Sequence, residues 1–270
     1  MLERELEVAA QAARQAGKIL LSLYDTQYVV ELKSGSDPVT EADRRANTFI
    51  VDRLSSEFPT DGIVAEETAD LGDALSKARR WYVDPLDGTK EFIAKNGEFS
   101  VMIGLTIDGE AKLGVVYQPV TEKLYSGVIG EGAFLEQAGA KSVLRVTDEA
   151  VAENLRLVVS RSHRSKVTDE IAKRLGISRE TSSGSVGLKV GLIAEQLADV
   201  YVHPSDKSSA WDACAPEAIL RAAGGRFTQM TGAGYRYESS DMQNRGGILA
   251  CNAAAFETVV AVTKQHWPPK

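Results

Sequence analysis

"WYVDPLDGTKEF", residues 81–92, carries the reading of this chain. Two aspartates stand three positions apart with a proline between them, and a glycine and a threonine follow. Tyr82 and Val83 favour extended chain, which delivers Asp84 at a strand end. Pro85 fixes its own φ and restricts Asp84. Gly88 permits a sharp turn or a close approach of backbone to a ligand. Thr89 is placed to cap the next helix, whose free N–H groups favour a phosphate. Asp84 and Asp87 then share a rigid corner, with the Leu86 carbonyl between them as a third oxygen. Such an all-oxygen set suits a hard cation such as Mg²⁺. Two close carboxylates repel unless something positive joins them, and a metal ion reverses the local sign so that a dianionic phosphate is attracted. An acidic structural turn is the plainer alternative.

Other acids bear on that choice. Glu66 and Glu67 end the strand-like run "GIVAEE", and Asp212 follows Trp211 at the start of a late helix. Singly, each reads as a helix cap or a solvated acid. Together they lie at element ends, where sites gather.

The chain has 270 residues, enough for one large domain or two smaller ones sharing an interface. Its formal charge of -7 and its lack of a basic patch interleaved with aromatics give no reason to expect nucleic acid as a partner. Cys214 and Cys251 form no CxxC pair, as expected of free thiols in a reduced cytoplasmic protein. Glu3, Glu5 and Glu7 occupy the place where a signal peptide carries basic residues, and no run approaches 18 apolar residues, so neither a signal nor a transmembrane span is expected.

Periodicity supplies the organisation. Leu2, Leu6, Ala9, Ala13, Ala16, Leu20 and Leu23 make one face of a helix over residues 2–23. Gly35, Asp37 and Pro38 are turn chemistry. Thr40 caps a second helix with Asp43 in its first turn, and Ala46, Phe49, Ile50 and Leu54 form its buried side. Residues 99–135 are short apolar runs cut by Asp108-Gly109, Pro119 and Gly130, the pattern of an antiparallel meander. A polar stretch over 136–154 marks a boundary between an N-terminal α+β domain, 1–140, and a C-terminal α/β domain, 155–270. In the second, "LRLVVS" and "GGILACN" read as strands. Residues 166–175, "DACAPEAILRAAGG" and 253–264 read as helices, and "GLKVGLIAEQLADVYV" runs from helix to strand. Pro216 is expected near the first turn of its helix, and Gly224 and Gly225 at its end.

"VAEET", "WYVDPLDGTKEF" and "SAWDACAPEAILRAAGG", in that order and spacing, resemble the signatures of the inositol monophosphatase-like superfamily of Mg²⁺-dependent, lithium-sensitive phosphatases. "KSGSDPVTEAD", "SRSHRS" and "GSVGLKVGLIAEQLADVYVHP" are most similar to its CysQ-type 3'(2'),5'-bisphosphate nucleotidases. The resemblance covers roughly residues 3–263. It implies an α+β fold, a layered α-β-α-β-α sandwich, in a monomer or homodimer acting on a small phosphorylated nucleotide.

Matched motif by motif, it implies that Glu66, Asp84, the Leu86 carbonyl and Asp87 hold a first Mg²⁺. Asp84, Asp87 and Asp212 serve a second, and Glu67 stands behind them or near a third, weaker ion. Asp43 and Thr89 match the pair that orients and activates the attacking water. Gly88, Thr89, His163, Arg164, Lys189, His203 and Asp212 fall on the substrate side. Two positions depart from the pattern: His203 stands where some relatives carry a phosphate-binding arginine, and Ala210 where many carry a glutamate. The implied reaction is hydrolysis of the 3'-phosphate of adenosine 3',5'-bisphosphate to AMP by in-line attack of water. Inositol monophosphatase or fructose-1,6-bisphosphatase activity is the alternative within the fold. A non-catalytic nucleotide- or metal-binding protein is the alternative outside it, and the full set of acids speaks against that. Trp211 reads as a packing residue behind Asp212.

Overall fold

The computed structural model describes residues 1–26, 30–32, 38–68 and 71–268. Helix α1 (Glu3–Tyr24) buries Ala9, Ala13, Ala16 and Leu20, the face that the spacing predicts. Helix α2 (Glu41–Glu57) starts in a capping box: the Thr40 side chain accepts the Ala42 N–H, and Asp43 accepts the Thr40 N–H in return. Between them, β1 (Val30–Leu32) and β2 (Pro38–Thr40) pair antiparallel. The turn expected at Gly35 and Asp37 lies outside the described residues.

Seven strands form the first sheet in sequence order: β3 (Gly62–Ala65), β4 (Arg79–Asp87), β5 (Ser100–Ile107), β6 (Glu110–Gln118), β7 (Lys123–Val128), β8 (Gly132–Gln137) and β9 (Ala140–Leu144). The antiparallel meander runs as expected, and β3 adds to β4 in parallel. A short helix, α3 (Thr89–Ile93), links β4 to β5.

The second sheet has the order β11-β10-β12-β14-β13, from β10 (Arg156–Ser160), β11 (Arg179–Ser183), β12 (Val200–His203), β13 (Arg226–Thr228) and β14 (Ile248–Cys251). Helices α4 (Lys166–Leu175), α5 (Val186–Ala194), α6 (Ala210–Ala222) and α7 (Phe256–Thr263) alternate with these strands. The alternation led to an α/β reading, and β10 is indeed parallel to β11 and β12, but β14 runs antiparallel to β12 and β13, so the sheet is mixed.

Period-2 alternation assigns the layers. On the first sheet Trp81, Val83, Val101, Ile103, Leu113 and Val115 face α1 and α2. The opposite faces of both sheets meet α5 and α6: Tyr82, Tyr201, Ile248 and Ala250 join Val190, Ile193, Ala213 and Cys214 in one core. Leu157, Val159, Val200, Val202 and Leu249 face outward onto α4 and α7. The result is the layered α-β-α-β-α arrangement, with α5 and α6 in the middle. Both cysteines are buried and unpaired.

A row of glycines seats the middle layer. Gly104, Gly114 and Gly127 are direct neighbours across β5, β6 and β7. A Cβ on Gly104 would lie 2.6 Å from Cys214 Sγ, one on Gly114 2.2 Å from the Ala215 carbonyl oxygen, and one on Gly127 2.8 Å from Ile219 Cα. The sheet surface is thus hollowed to let α6 lie directly on backbone.

Two local expectations change. Pro216 sits inside α6 and not in its first turn, because the capping residue is Ser209 and the helix begins at Ala210, ahead of the run that suggested it. Thr89 is the first residue of α3 and not its cap, because Gly88 takes the cap position at φ +97°, a conformation that glycine adopts without strain. The last strand of the first sheet reaches Leu144, beyond residue 140, and α5 and α6 pack against both sheets. Among the described residues no helix is long and apolar enough to cross a membrane.

Candidate active site

The opening motif owes its geometry to a β-bulge. In an unbroken strand, residues three apart point to opposite faces. Here Asp84 pairs with Met102 and Asp87 with Ser100, so β4 carries one residue more than β5 between those pairs. The extra residue returns Asp87 to the face of Asp84. Proline is tolerated at such a place because the ladder is already interrupted. The Leu86 N–H donates to Asp84 Oδ1 at 2.9 Å and fixes that carboxylate.

Glu66 arrives on the neighbouring parallel strand end: Ala65 pairs with Val83, and the Glu66 N–H donates to the Val83 carbonyl at 3.1 Å. Asp212 comes from the first turn of α6, where its Oδ2 accepts the Ser209 N–H at 2.6 Å. Carboxylate oxygens of Asp84, Asp87 and Asp212 lie within 4.8 Å of one another, a cluster that could hold a metal ion. Glu66 lines the same cleft but stands outside that tight group, and Glu67 is not among the cleft-lining residues.

Electrostatics mark the cluster. Burial pushes Asp84 well above the usual carboxylate range, and the charges of Glu66, Asp87 and Asp212 add to it. Burial, then Asp87 and Glu66, raise Asp212 to about 8. With their oxygens this close, the buried carboxylates of Asp84 and Asp212 disfavour each other's charge. Burial raises Asp87 less far, because the Lys189 charge and hydrogen bonds from Ser185 and α5 oppose it. Ser185 Oγ donates to Asp87 Oδ2 at 2.6 Å and the Gly187 N–H at 3.1 Å, so the start of α5 is turned toward this acid.

Asp43 lies on the other side of the corner. Its Oδ2 accepts the Thr40 N–H at 2.8 Å and the Thr40 hydroxyl at 2.5 Å. Thr89 Oγ1 lies 3.2 Å from Asp43 Oδ1 and 3.3 Å from the Leu86 carbonyl oxygen, so one hydroxyl bridges helix α2 and the bulged strand end.

The cleft above these groups has a volume of about 620 Å³. Gly88, Thr89, His163, Arg164, Lys189 and His203 all line it, with Glu66, Asp84, Leu86, Asp87 and Asp212. The cations differ in their commitments. Lys189 Nζ donates to the Ser185 carbonyl at 2.6 Å and the Gly184 carbonyl at 3.2 Å and lies over the Tyr201 ring; burial draws its pKa down to about 8. The Arg164 guanidinium is held by Asp169 and Glu180. His203 stacks on Tyr201, and burial, followed by the charges of Lys189 and His163, lowers its pKa to about 4. His163 Nε2 lies 3.3 Å from Lys90 Nζ.

Sequence reasoning gave no role to Ser185, Lys90, Glu91 or Lys207, which also line the cleft. Lys90 stood inside the quoted motif, and Ser185 follows a glycine at a helix start, a signal that could have marked it. Ala210 is buried and donates its N–H to the Met242 carbonyl at 2.7 Å, beside a separate small cavity walled by Tyr82, Tyr235 and Tyr237. Trp211 packs into the core between the sheets, as its packing reading implies.

Residues 1–267 match the sequence profile of the inositol monophosphatase family. The chain is 39% identical to the 3'(2'),5'-bisphosphate nucleotidase CysQ of Escherichia coli over 222 residues, 81% of this chain and 88% of that protein. Among solved structures, CysQ of Bacteroides thetaiotaomicron is similar at a TM-score of 0.77 with 32% identity, covering 93% of this chain and 97% of the other. The inositol monophosphatase of Thermotoga maritima is similar at a TM-score of 0.82 with 28% identity, covering 97% of each chain.

Proposed function

The chain belongs to the inositol monophosphatase family, and we propose that within it this protein removes the 3'-phosphate of adenosine 3',5'-bisphosphate, leaving AMP and inorganic phosphate. The carrying observation is the convergence of Asp84, Asp87 and Asp212 at one end of a cleft whose lining includes Lys189 and His163. The identity to CysQ nucleotidases supports the choice of substrate.

The donor set fits a hard divalent cation. It is all oxygen, and burial has driven Asp84 and Asp212 toward protonation, a condition that a nearby +2 charge relieves. We assign Glu66, Asp84, the Leu86 carbonyl and Asp87 to one Mg²⁺, and Asp84, Asp87 and Asp212 to a second, with Glu67 behind them. When bound, the ions lower the pKa of water and neutralise charge on the phosphate and the leaving oxygen.

The chain's own groups do the rest. Thr89 Oγ1 lies within hydrogen-bond reach of Asp43 Oδ1; as the water attacks, its proton passes to Thr89 Oγ1 while the Thr89 proton passes to the Asp43 carboxylate, which ends protonated. Asp43 is held for this task by Thr40. Lys189, fixed by two carbonyls, sets a positive charge beside Asp87 and favours an anionic substrate over the cleft floor. Gly88, bearing no side chain, leaves room for the phosphate at the corner. His163, Arg164 and His203 line the nucleotide side. The two halves of the chain, 1–140 and 155–270, supply the acidic corner and the specificity residues respectively, with Asp212 crossing between them.

Inositol phosphate is the second reading, favoured by the likeness to the Thermotoga enzyme. A substrate panel at fixed Mg²⁺ separates the two. Preference for adenosine 3',5'-bisphosphate, abolished by chelator and inhibited by Li⁺, supports the proposal; preference for inositol 1-phosphate overturns it.

A further inference from the structure

We infer that Lys90, paired with His163, is a specificity-determining residue that takes the phosphate of a bisphosphorylated substrate that is not cleaved. The inference rests on the nucleotidase reading above and extends it to a residue that reading leaves without a role.

Lys90 and His163 come from opposite halves of the chain. Lys90 directly follows Thr89 in α3, next to the acidic corner, and His163 follows β10 of the second sheet. Their nitrogens lie 3.3 Å apart at the cleft wall. The contact to His163 uses one of the three N–H donors of the Lys90 ammonium, and a dianion between the two side chains forms a stronger charge-assisted bond with Lys90 than an imidazole nitrogen does.

The other cations of the cleft are committed elsewhere or less placed. Lys189 is buried and spends two donors on backbone carbonyls. The Arg164 guanidinium is neutralised by Asp169 and Glu180. Lys207 is exposed. Among the described residues, Lys90 lies within 4.0 Å of no carboxylate, although Glu91 is the next residue and the cleft floor is acidic. A lysine held beside a histidine, in a cleft with so many acids, is positioned for a ligand anion.

The scissile phosphate belongs at the acidic corner, where the metal-binding oxygens converge. The Lys90 ammonium is directed to His163, which follows β10 and not the acidic corner, so a phosphate beyond the ribose is the group within its reach. An inositol monophosphate lacks that second phosphate and gains nothing there.

The test compares wild type, Lys90→Met, Lys90→Arg and Lys207→Met in two measurements. The first is kcat/KM for adenosine 3',5'-bisphosphate and for adenosine 3'-monophosphate, which carries only the scissile phosphate. Lys90→Met is expected to lower the ratio of the two about tenfold or more, the size of a lost charge-assisted hydrogen bond. Lys90→Arg is expected to restore most of it. The second is calorimetric binding of AMP and of adenosine, which reads the uncleaved phosphate without turnover. Lys90→Met is expected to weaken AMP about tenfold more than adenosine. Equal losses for both members of each pair, or a larger effect from Lys207→Met, overturn the inference. A wild type that prefers inositol phosphate overturns the nucleotidase reading instead, and the AMP-against-adenosine comparison then still decides whether Lys90 holds a phosphate.

Discussion

Asp43 and Asp212 hold equivalent places in two helices that are far apart in sequence. Each is the third residue after a capping hydroxyl residue, and each accepts that residue's backbone N–H, Thr40 at 2.8 Å and Ser209 at 2.6 Å. The same local device locks both carboxylates, each with its rotamer fixed by its own helix start; Asp212 lines the cleft, and Asp43 meets it through Thr89. Helix capping and site construction are one act in this chain.

The bridge from Thr89 to Asp43 predicts a split between binding and chemistry. Thr89→Ala and Asp43→Asn are expected to lower kcat by about 10²–10⁴ while Mn²⁺ affinity, read by calorimetry, changes little. Thr89→Ser keeps the hydroxyl and is expected to recover much of the rate. Loss of metal binding in Thr89→Ala would sink this assignment.

The raised Asp212 predicts a pH dependence of stability in chelator. Its folded pKa of about 8 lies above its ordinary 3.8, so between those values the folded state binds more protons than the unfolded. Stability is therefore full at the acid end of that window and falls as pH rises through it. A melting series from pH 5 to pH 9 in EDTA is expected to show a declining midpoint, roughly 2–4 °C for each kcal/mol lost. Asp212→Asn flattens the slope, and Mg²⁺ reverses it for the wild type by binding the ionised form. A flat series in chelator counts against the cluster.

Gly114 predicts damage at a distance. An added methyl meets the Ala215 carbonyl oxygen at 2.2 Å, and backbone on both sides offers no easy relief. Gly114→Ala is expected to cost about 1–3 kcal/mol by overpacking. By lifting α6 it also moves Asp212, so kcat/KM falls further than the lost stability explains. Denaturant titration together with rates measured well below the melting point separates the two effects. A stable, fully active Gly114→Ala would show that the seat is looser than drawn.

Asp199 predicts a purely structural loss. It accepts from Arg156 Nε and N–H at 2.8 Å each and from Thr147 Oγ1 at 2.6 Å, tying the connector between the sheets to β10. Asp199→Ala is expected to destabilise by about 2–3 kcal/mol, read by urea unfolding, with kcat unchanged at low temperature. A kcat loss there without a stability change would contradict it.

Much of this was legible beforehand because it is written locally. The α1 stripe, the meander and the acids at element ends depend on spacing, proline, glycine and caps, which act within a few residues. What escaped depends on register or on partners far along the chain. That Asp84 and Asp87 share a corner was legible from Pro85 and Gly88, but the bulge that makes it is a property of β4 against β5 that no pattern in β4 alone reveals. Pro216 was misplaced because the helix start is set by Ser209 and Asp212, ahead of the apolar run that suggested it. Lys90 stood in the quoted motif without a role, since the side chain it meets, His163, comes from a loop 73 residues further along the chain. That β14 runs antiparallel in the second sheet was not legible, because strand direction follows from connections and not from composition.

The glycine row has one consequence beyond packing. Because α6 rests on bare backbone of the first sheet while its far side closes the second, Asp212 is delivered only when the two halves of the polypeptide have docked. A fragment ending near the middle of the chain would keep Asp84 and Asp87 yet lack the third acid. On the proposed role of Asp212, activity serves as a reporter of complete assembly, and a half-folded chain is expected to be silent toward phosphate esters.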